Sequence, residues 1–418
     1  MRWIELLENF IFLYPLAMSI VWMIGALYFY LRREAGMPRQ PPALHEHPFV
    51  SVLVPAHNEA DAIAETVQTI LAADYPAFEV IVIDDGSQDE TPDILRRLAQ
   101  QHPALRVIFL QENSGKPTAL RAGALASNGE ILVTIDADAL IDKDAITWMV
   151  SHFVNGPRVG AVTGNPRVRN RSTLLAKIQV CEYSSIIGMI KRTQRILGKV
   201  LTVSGVIAAF RKRALYEVGF WDIDMITDDI NITWKLEKRF WDIRYEPNAL
   251  CWILVPETIR GLWRQRVRWS QGGTEVIRRH RDIWLDWRQR RLWPVYIEYV
   301  VSVIWSYAYV LFGIIWMLKL VFPLDLPVVV LLPDWKGAIL IAVCLLQFAI
   351  GITLDSRYER YILGNYFWVI WYPFVYWLIT ALATFRSTPT ALFRPLGRPA
   401  VWISPDRGLP AKKIAPGG

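Results

Sequence analysis

Apolar residues are concentrated at the two ends of the chain, whereas the middle alternates short apolar runs with polar segments. Residues 10–30 form an uninterrupted apolar run close to the ~20 residues that a helix needs to cross a bilayer. Three further runs follow near the C-terminus, at residues 299–322, 337–354 and 366–384. The pattern predicts one membrane helix at residues 10–31, after a short N-terminal segment (1–9), and about three membrane segments within residues 297–385.

The charged residues that flank these segments indicate how the segments are oriented in the membrane. A cleaved signal peptide is the alternative to an N-terminal anchor, but the leading residues hold two glutamates against one arginine, and Arg32 and Arg33 follow the run. The positive-inside rule then puts the next segment in the cytosol. Four crossings would leave the C-terminal tail outside, although residues 386–418 are basic. Either the last segment, with Pro373 at its middle, is re-entrant, or the charge rule is overridden.

The region between the apolar ends has the pattern of an α/β domain. Short β-rich runs at residues 50–54, 79–83, 106–110 and 130–135 alternate with helical stretches such as 60–72 and 117–125. This alternation predicts a mostly parallel sheet covered by helices. We expect a cytosolic domain over residues 49–257, joined to the first membrane helix by a proline-rich linker over residues 32–48.

Composition supports a membrane protein, with 53% hydrophobic residues, a mean hydropathy of +0.23 and 19 tryptophans. The net charge of +7 could indicate nucleic-acid binding. However, ten arginines are interleaved with tryptophans between Ile259 and Trp293, directly before an apolar run. This favours interfacial helices over residues 258–296, with arginines towards anionic lipid, and no nucleic-acid partner. Three widely spaced cysteines give no zinc or disulfide pattern.

Acidic motifs follow the predicted strands, where ligands of open sheets bind. They are PAHNE (55–59), DDGS (84–87) and DAD (136–138). In the last motif, one carboxylate can reach a divalent metal and the other a sugar or ribose hydroxyl. Such oxygen ligands suit Mg²⁺ or Mn²⁺ bound together with phosphates. Helix capping or a surface turn is the structural alternative.

Three more motifs complete a recognisable set, namely NSGK (113–116), TDD (227–229) and QRVRW (265–269). Together they resemble the processive, membrane-embedded family 2 glycosyltransferases, the group of the cellulose, chitin and hyaluronan synthases. Further segments resemble the bacterial poly-β-1,6-N-acetyl-D-glucosamine synthases of that family, at residues 162–166, 182–188, 204–210 and 402–408. The chain departs from them in its single N-terminal span and in Asp228, where many relatives have glutamate.

The resemblance implies a GT-A fold, UDP-N-acetylglucosamine as donor and inversion at the anomeric carbon to give a β-1,6-linked polymer. On this basis the expected donor-site residues are a uridine group (Glu59 and Asp85, with Pro55 as a further substrate contact), a nucleotide contact (Lys116) and a metal pair (Asp138 as principal ligand, with Asp136). Inverting transfer also needs a base for the acceptor hydroxyl. We assign Asp229 to that role, next to Asp228.

The QRVRW motif supplies the remaining expected contacts. Arg268 is the best cation for the diphosphate, because its planar fork bridges phosphate oxygens. Trp269 is expected to stack on the acceptor sugar, and Gln265 belongs to the same catalytic motif. The alternatives are headgroup contacts for these three residues, a solvated lysine for Lys116 and a helix N-cap pair for Asp228 and Asp229. His57, His102, His280, Cys181 and Cys251 are expected to be structural or surface residues.

These observations predict an enzyme of the bacterial inner membrane that elongates poly-N-acetylglucosamine in the cytosol and passes the growing chain outward. Four spans are few for a channel, and the resembled family uses a small two-span membrane partner. The alternatives are a synthase of chitin, hyaluronan or cellulose type, a transferase that adds one sugar to a lipid, and a non-catalytic scaffold or channel that retains the fold.

Overall fold

The computed structural model describes residues 2–322, 335–395 and 397. The predicted 402–408 motif and the basic residues Arg398, Lys412 and Lys413 lie outside the described residues.

The middle of the chain folds around one eight-stranded sheet with the strand order β3-β2-β1-β4-β7-β6-β8-β5. The strands are β1 (Val50–Ala56), β2 (Phe78–Asp85), β3 (Leu105–Leu110), β4 (Ile131–Ile135), β5 (Leu140–Ile141), β6 (Val159–Val168), β7 (Ile207–Arg211) and β8 (Asp242–Ile253). The four strands predicted from the sequence are β1 to β4, and they pair in parallel. Strand β7 is antiparallel to both of its neighbours, so the sheet is mixed. The predicted α/β class is confirmed.

Helices cover both faces of this sheet, which explains why every residue of β1 and β4 is buried. They are α2 (Ile63–Leu71), α3 (Thr91–Gln101), α4 (Lys116–Ala126), α5 (Ala145–Val154), α6 (Leu174–Glu182), α7 (Met189–Leu197), α8 (Lys212–Glu217) and α9 (Asp228–Lys238). A π-helical segment, Tyr183–Gly188, joins α6 to α7. Because β1, β2 and β4 are parallel, the acidic motifs that follow them meet at one edge of the sheet.

Four apolar helical stretches are long enough to cross a membrane, Trp3–Glu34, Trp293–Lys319, Trp335–Asp355 and Ile362–Phe393. They overlap α1 (Arg2–Phe29), α11 (Trp293–Val321), α12 (Trp335–Asp355) and α13 (Trp377–Phe393). Helix α10 (Ile259–Arg279) and two 3-10 segments, Arg281–Leu285 and Trp287–Gln289, connect the sheet domain to α11. Each apolar run predicted from the sequence lies largely within one of these stretches.

The fourth stretch is irregular and stays close to the sheet domain. It begins as a 3-10 helix, Ile362–Trp371, passes through a π-helical turn around Pro373 and continues as α13. The expected disturbance at Pro373 is therefore a change of helix type, because proline cannot donate a backbone hydrogen bond. Just before the stretch, Glu359 binds Arg167 of β6, and at its end the Ala391 carbonyl accepts from Arg278 of α10.

Several arginines of helix α10, which we expect to be an interfacial helix, bind protein groups. Arg266 is buried against Glu182 of α6. Arg279 pairs with Asp222 and Asp224, in the loop before α9. These contacts form because α10 is packed between the sheet domain and α13, so protein carboxylates rather than lipid headgroups neutralise these arginines.

A buried ion network joins the membrane helices to the sheet domain. Arg192 of α7 donates to Glu34, at the end of the first stretch, at 2.6 Å and to Asp355, at the end of α12, at 2.8 Å. Asp355 also pairs with Arg167 of β6, and all these side chains are at most 1% exposed. One carboxylate therefore neutralises two buried arginines from different parts of the chain.

Replacing Asp355 with alanine is expected to destabilise the protein strongly, because two buried guanidinium groups lose a shared partner. Breaking a buried ion pair costs about 3–5 kcal/mol of unfolding free energy. The measurement is thermal unfolding of the detergent-solubilised protein. Asp93→Ala removes an exposed carboxylate paired with Arg96 and should change stability by less than about 1 kcal/mol. Equal unfolding temperatures for the two variants would contradict the importance of the network.

Candidate active site

The DDGS and NSGK motifs are joined by backbone hydrogen bonds at the end of β2. The Asp85 carboxylate accepts from the N–H groups of Ser114 at 2.9 Å and Gly115 at 2.8 Å. Gly115 has φ +90°, in the left-handed region that favours glycine, and it directly precedes α4. Burial raises the pKa of Asp85, and the two N–H groups oppose the rise. The contact fixes the loop that carries Lys116.

His57 connects the first acidic motif to the same loop. Its Nδ1 donates to the Asp85 carbonyl at 2.7 Å, and its Nε2 accepts from the Asn113 side chain at 3.0 Å. It also lines a cavity of about 510 Å³ together with Asp84, Gly86, Ser87, Arg96 and Phe109. Its position directly after Ala56, the last residue of β1, was the only sequence signal for this connecting role.

The expected uridine residues are buried around this loop. Pro55 lies within β1, and Glu59 is 1% exposed, with its N–H donating to Thr91 at 2.8 Å. Together with Asp85, they lie at the carboxyl ends of β1 and β2, as the sequence predicts.

Lys116 connects the NSGK loop to the DAD motif. Its Nζ donates to Asp136 at 2.5 Å and to the Gly205 carbonyl at 2.9 Å, and its side chain is 17% exposed. Burial alone would lower the pKa of Lys116, yet the charges of Asp136, Asp228 and Asp229 raise it. Lys116 is therefore not an ordinary solvated lysine, and its ammonium lies among three carboxylates.

The TDD motif forms the start of α9, so Asp228 and Asp229 lie at a helix N-terminus. The Asp229 carboxylate accepts from the N–H of Ile230 at 2.9 Å. Burial raises the pKa of both aspartates, and Lys116 opposes this rise in both. For Asp229, the positive charges of Arg268 and Lys191 oppose it as well. The helix-terminus role and a chemical role are therefore compatible.

Arg268 lies within electrostatic reach of both Asp229 and Tyr183, and Asp138 also acts on Tyr183. The DAD, TDD and QRVRW motifs therefore converge on one region. Gln265, by contrast, has a buried Oε1 without a hydrogen-bond partner in the described part of the chain.

Close packing of α10 against the TDD motif brings the DAD, TDD and QRVRW motifs together. A Cβ on Gly272 of α10 would lie 2.3 Å from the Thr227 side chain. No larger residue fits there without displacing the TDD motif.

Trp269 is positioned by a pair that sequence reasoning missed. The Arg266 guanidinium lies 4.5 Å from the centre of the Trp269 ring and donates to Glu182 at 2.7 Å. The signals in the sequence were the glutamate at the start of the 182–188 segment and the arginine inside QRVRW. The pair fixes the indole from one side.

Burial disfavours nucleophilic chemistry at Cys181 and Cys251. Cys181 and Cys251 are buried and free, and burial raises the pKa of the Cys181 thiol to about 12. A thiol with this pKa is protonated at neutral pH and is a poor nucleophile. Both residues are therefore structural, as the sequence predicted.

Within the described ranges, no group of three or more His, Cys, Asp or Glu side chains is arranged to hold a metal ion. Asp136 and Asp138 nevertheless fit a metal that binds together with phosphate, because Mg²⁺ commonly uses one or two protein carboxylates and completes its shell with phosphate and water oxygens. The site thus has two carboxylates that suit a metal, Asp136 and Asp138. It also has two cations that suit a diphosphate, Lys116 and Arg268, and a further aspartate, Asp229, near them.

Comparison with known proteins identifies the family. Residues 47–272, about half of the chain, match the family model described as glycosyltransferase-like family 2. A poly-beta-1,6-N-acetyl-D-glucosamine synthase of Staphylococcus aureus is 41% identical over 96% of this chain and 98% of its own. The synthase of the same name from Staphylococcus epidermidis is 40% identical with the same coverage.

A solved structure supports the fold independently. The mannosyltransferase PcManGT from Pyrobaculum calidifontis, determined with GDP-Man and Mn²⁺, aligns with a TM-score of 0.59 and 21% identity. The alignment covers 92% of this chain and 99% of that chain, and it confirms the GT-A fold expected from the sequence. The chain belongs to the family 2 glycosyltransferases, among the relatives of the poly-β-1,6-N-acetyl-D-glucosamine synthases.

Proposed function

We propose that this chain polymerises N-acetylglucosamine from UDP-N-acetylglucosamine into β-1,6-linked poly-N-acetylglucosamine, a biofilm exopolysaccharide. The observation that carries the proposal is the convergence of Asp138, Asp229, Lys116 and Arg268 in one region, where the two aspartates and the lysine are partly buried and Arg268 is exposed. The 41% identity to a synthase of this polymer along 96% of the chain supports the choice of sugar and linkage.

The reaction is a single displacement at the anomeric carbon. The Asp229 carboxylate accepts the proton of the acceptor C6 hydroxyl as its oxygen attacks C1 of the donor sugar. The bond from C1 to the diphosphate oxygen breaks, its electron pair leaves with UDP, and the configuration at C1 inverts. Asp228 lies beside the base and shares its burial and its proximity to Lys116.

The donor binds along the strand ends. Pro55, Glu59 and Asp85 hold uridine; although the Asp85 oxygens already accept backbone N–H groups, a carboxylate oxygen has a second lone pair for a ligand. Lys116 and Arg268 stabilise the negative charge that develops on the departing diphosphate.

Asp138, with Asp136, would hold the Mg²⁺ or Mn²⁺ that this proposal includes. When bound, the metal supplies positive charge to the leaving diphosphate. The Asp136 carboxylate is paired with Lys116 at 2.5 Å, so it connects the metal position to the ammonium. Because the protein offers few metal ligands of its own, we expect metal and nucleotide to bind cooperatively.

The acceptor end of the polymer lies against α10. The Trp269 indole stacks on the terminal sugar, and Arg266, held by Glu182, supports the opposite side of the ring. Gln265, whose Oε1 is buried without a partner in the described part of the chain, belongs to the same helix.

Replacing Asp229 with asparagine should strongly lower the rate of polymer synthesis, because asparagine cannot accept the acceptor proton. General bases contribute about 10²- to 10⁴-fold to rate, and we expect a loss in this range. The measurement is incorporation of radiolabelled UDP-N-acetylglucosamine by membranes with equal protein levels. Asp144→Asn is the matched control, since Asp144 precedes α5 at a helix N-terminus outside the site. Loss of polymer in Asp229→Asn would exclude a non-catalytic scaffold, whereas unchanged synthesis would refute the mechanism.

The product of the same assay distinguishes the remaining enzymes. A polymer digested by a β-1,6-specific hexosaminidase supports the proposal, whereas a resistant polymer indicates a synthase of chitin, hyaluronan or cellulose type. A product that carries a single added sugar on a lipid indicates a non-processive transferase.

Metal dependence is the second expected property. Chelation of divalent metal should stop synthesis, and Mg²⁺ or Mn²⁺ should restore it. Asp138→Asn should raise the metal concentration needed for half-maximal rate by about 10-fold or more, because it removes one carboxylate ligand. Metal titrations of this variant and of Asp144→Asn measure the effect. Full activity of the wild-type enzyme in excess chelator would contradict the assignment.

The four apolar stretches fit a membrane protein. We propose a bacterial inner-membrane protein with a cytosolic catalytic domain and three crossings, the fourth stretch being re-entrant. Lys336, at the start of α12, pairs with Glu8, whereas Glu34 and Asp355 meet Arg192 at the opposite ends of these helices. Contacts of Arg278 with the end of α13 support a return to the cytosolic side, in agreement with the positive-inside rule.

Cysteine labelling tests this topology. In spheroplasts, a membrane-impermeant maleimide should label Trp335→Cys but should label Phe393→Cys only after permeabilisation. Both positions are 84% exposed, so access depends on the side of the membrane. Leu285→Cys, 89% exposed on the catalytic side, is the control for the permeability barrier. Labelling of Phe393→Cys in sealed spheroplasts would contradict a re-entrant segment.

Three crossings are few for a polysaccharide channel. We therefore propose that a second membrane protein, a small two-span partner, completes the path by which the growing chain crosses the lipid bilayer. The large exposed apolar side chains along α1 and α11 offer surface both for lipid and for such a partner.

A further inference from the structure

Lys191 of α7 is a buried cation that none of the sequence motifs indicates. Lys191 is 4% exposed, and its Nζ donates to the Thr163 hydroxyl at 3.0 Å. Thr163 is its one hydrogen-bond acceptor among residues 2–322, 335–395 and 397. Because an ammonium has three N–H donors and is costly to bury, this lysine requires an explanation.

Thr163 connects Lys191 to the loop beside Asp229. The same hydroxyl accepts from the backbone N–H of Ser204 at 2.8 Å. The next residue, Gly205, lies so close to Asp229 that an added Cβ would be 3.2 Å from the carboxylate. The Gly205 carbonyl also accepts from Lys116. A change in the position of Lys191 would therefore shift the backbone at Ser204 and Gly205, which lies beside the Asp229 carboxylate.

Helix α7 is held rigidly, so the position of Lys191 is fixed. Arg192 is bound by Glu34 and Asp355, and the Thr193 hydroxyl donates to the Trp22 carbonyl at 2.9 Å. A Cβ on Gly25 would lie 2.2 Å from the Thr193 side chain, which shows how closely α7 and α1 approach. Within α7, Arg192 and Thr193 thus contact the membrane helices, whereas the neighbouring Lys191 faces the candidate active site.

The charge of Lys191 acts on Asp229. Burial lowers the pKa of Lys191 to about 8, and the negative charge of Asp229 opposes this decrease. Lys116 and Arg268 also face Asp229, but Lys116 is paired with Asp136, and Arg268 is exposed. Lys191 is therefore the deeply buried cation near Asp229 that has no carboxylate hydrogen-bonded to it in the described part of the chain.

We propose that Lys191 is a positioning residue for catalysis, which holds the Asp229 carboxylate towards the acceptor through its charge and through the Thr163 hydroxyl. The inference rests on the proposed role of Asp229 as the base. It predicts an effect on turnover and little effect on donor binding, because the expected uridine residues lie at the ends of β1 and β2 and not on α7.

The test measures kcat and KM for UDP-N-acetylglucosamine with the full-length protein in membranes. Lys191→Met should lower kcat by about 10- to 100-fold, as expected when a reacting group is misplaced, and should leave KM within about twofold. Lys191→Arg keeps the charge and should recover at least part of the loss. Lys212→Met is the matched control, because Lys212 donates to the Ser127 carbonyl away from Asp229 and should keep the wild-type kcat.

A second pair of variants covers the case in which Lys191→Met fails to fold. Thr163→Val removes the bridging hydroxyl at constant shape and should lower kcat, whereas Thr163→Ser keeps the hydroxyl and should retain most of it. Wild-type kcat in both Lys191→Met and Thr163→Val, or a loss that lies entirely in KM, would overturn the inference. An equal loss in Thr163→Val and Thr163→Ser would also overturn it.

The Asp229→Asn background separates this inference from the proposed function. If Lys191 acts through Asp229, Lys191→Met should cause no further loss of the residual rate of Asp229→Asn. A further loss of 10-fold or more would show that Lys191 acts elsewhere. If Asp229→Asn alone retains the wild-type rate, the base is wrongly assigned and the proposed function fails first.

Discussion

The candidate active site depends on one electrostatic constraint, which is that several carboxylates share a partly buried region and must be neutralised there. Asp136, Asp228 and Asp229 all act on the ammonium of Lys116. Without that cation, the carboxylates would repel each other and would repel a diphosphate even more strongly. The loop that carries Lys116 is in turn fixed by backbone hydrogen bonds to Asp85. The DDGS motif thus supports the chemistry indirectly, even before any nucleotide contact is considered.

The scaffold satisfies this constraint with two helices, α7 and α10, that pack against the apolar helices α1 and α13. Helix α10 carries Arg268 and closes on the TDD motif because Gly272 leaves room for Thr227. Helix α7 carries Lys191 and is fixed by Arg192 to the ends of two membrane helices. The carboxylates of the candidate site therefore come from the sheet domain, whereas Arg268 and Lys191 are positioned by elements packed on the membrane helices. This arrangement links the stability of the membrane junction to the geometry of the site.

The sequence was sufficient for the local features. Short continuous apolar runs predicted β1 to β4, because strands that are buried on both faces have continuous apolar sequences. The positions of Asp85 and Asp138 followed from the ends of β2 and β4. Lys191, Arg266 and Glu182 could not be predicted, because their partners are 28 and 84 residues away and no sequence period relates them. Likewise, the sequence did not indicate that Arg266 and Arg279 of α10 pair with Glu182 and Asp224.

The central claim is that distant carboxylates and cations meet around one donor diphosphate, with the acceptor hydroxyl beside Asp229. An electron cryo-microscopy structure in a lipid nanodisc, with UDP-N-acetylglucosamine, Mn²⁺ and a short acceptor, tests it most directly. We predict that the diphosphate lies between Asp138 and Arg268 and that the acceptor hydroxyl is within hydrogen-bond distance of Asp229. A diphosphate bound away from Asp138, or an acceptor that does not approach Asp229, would contradict the account.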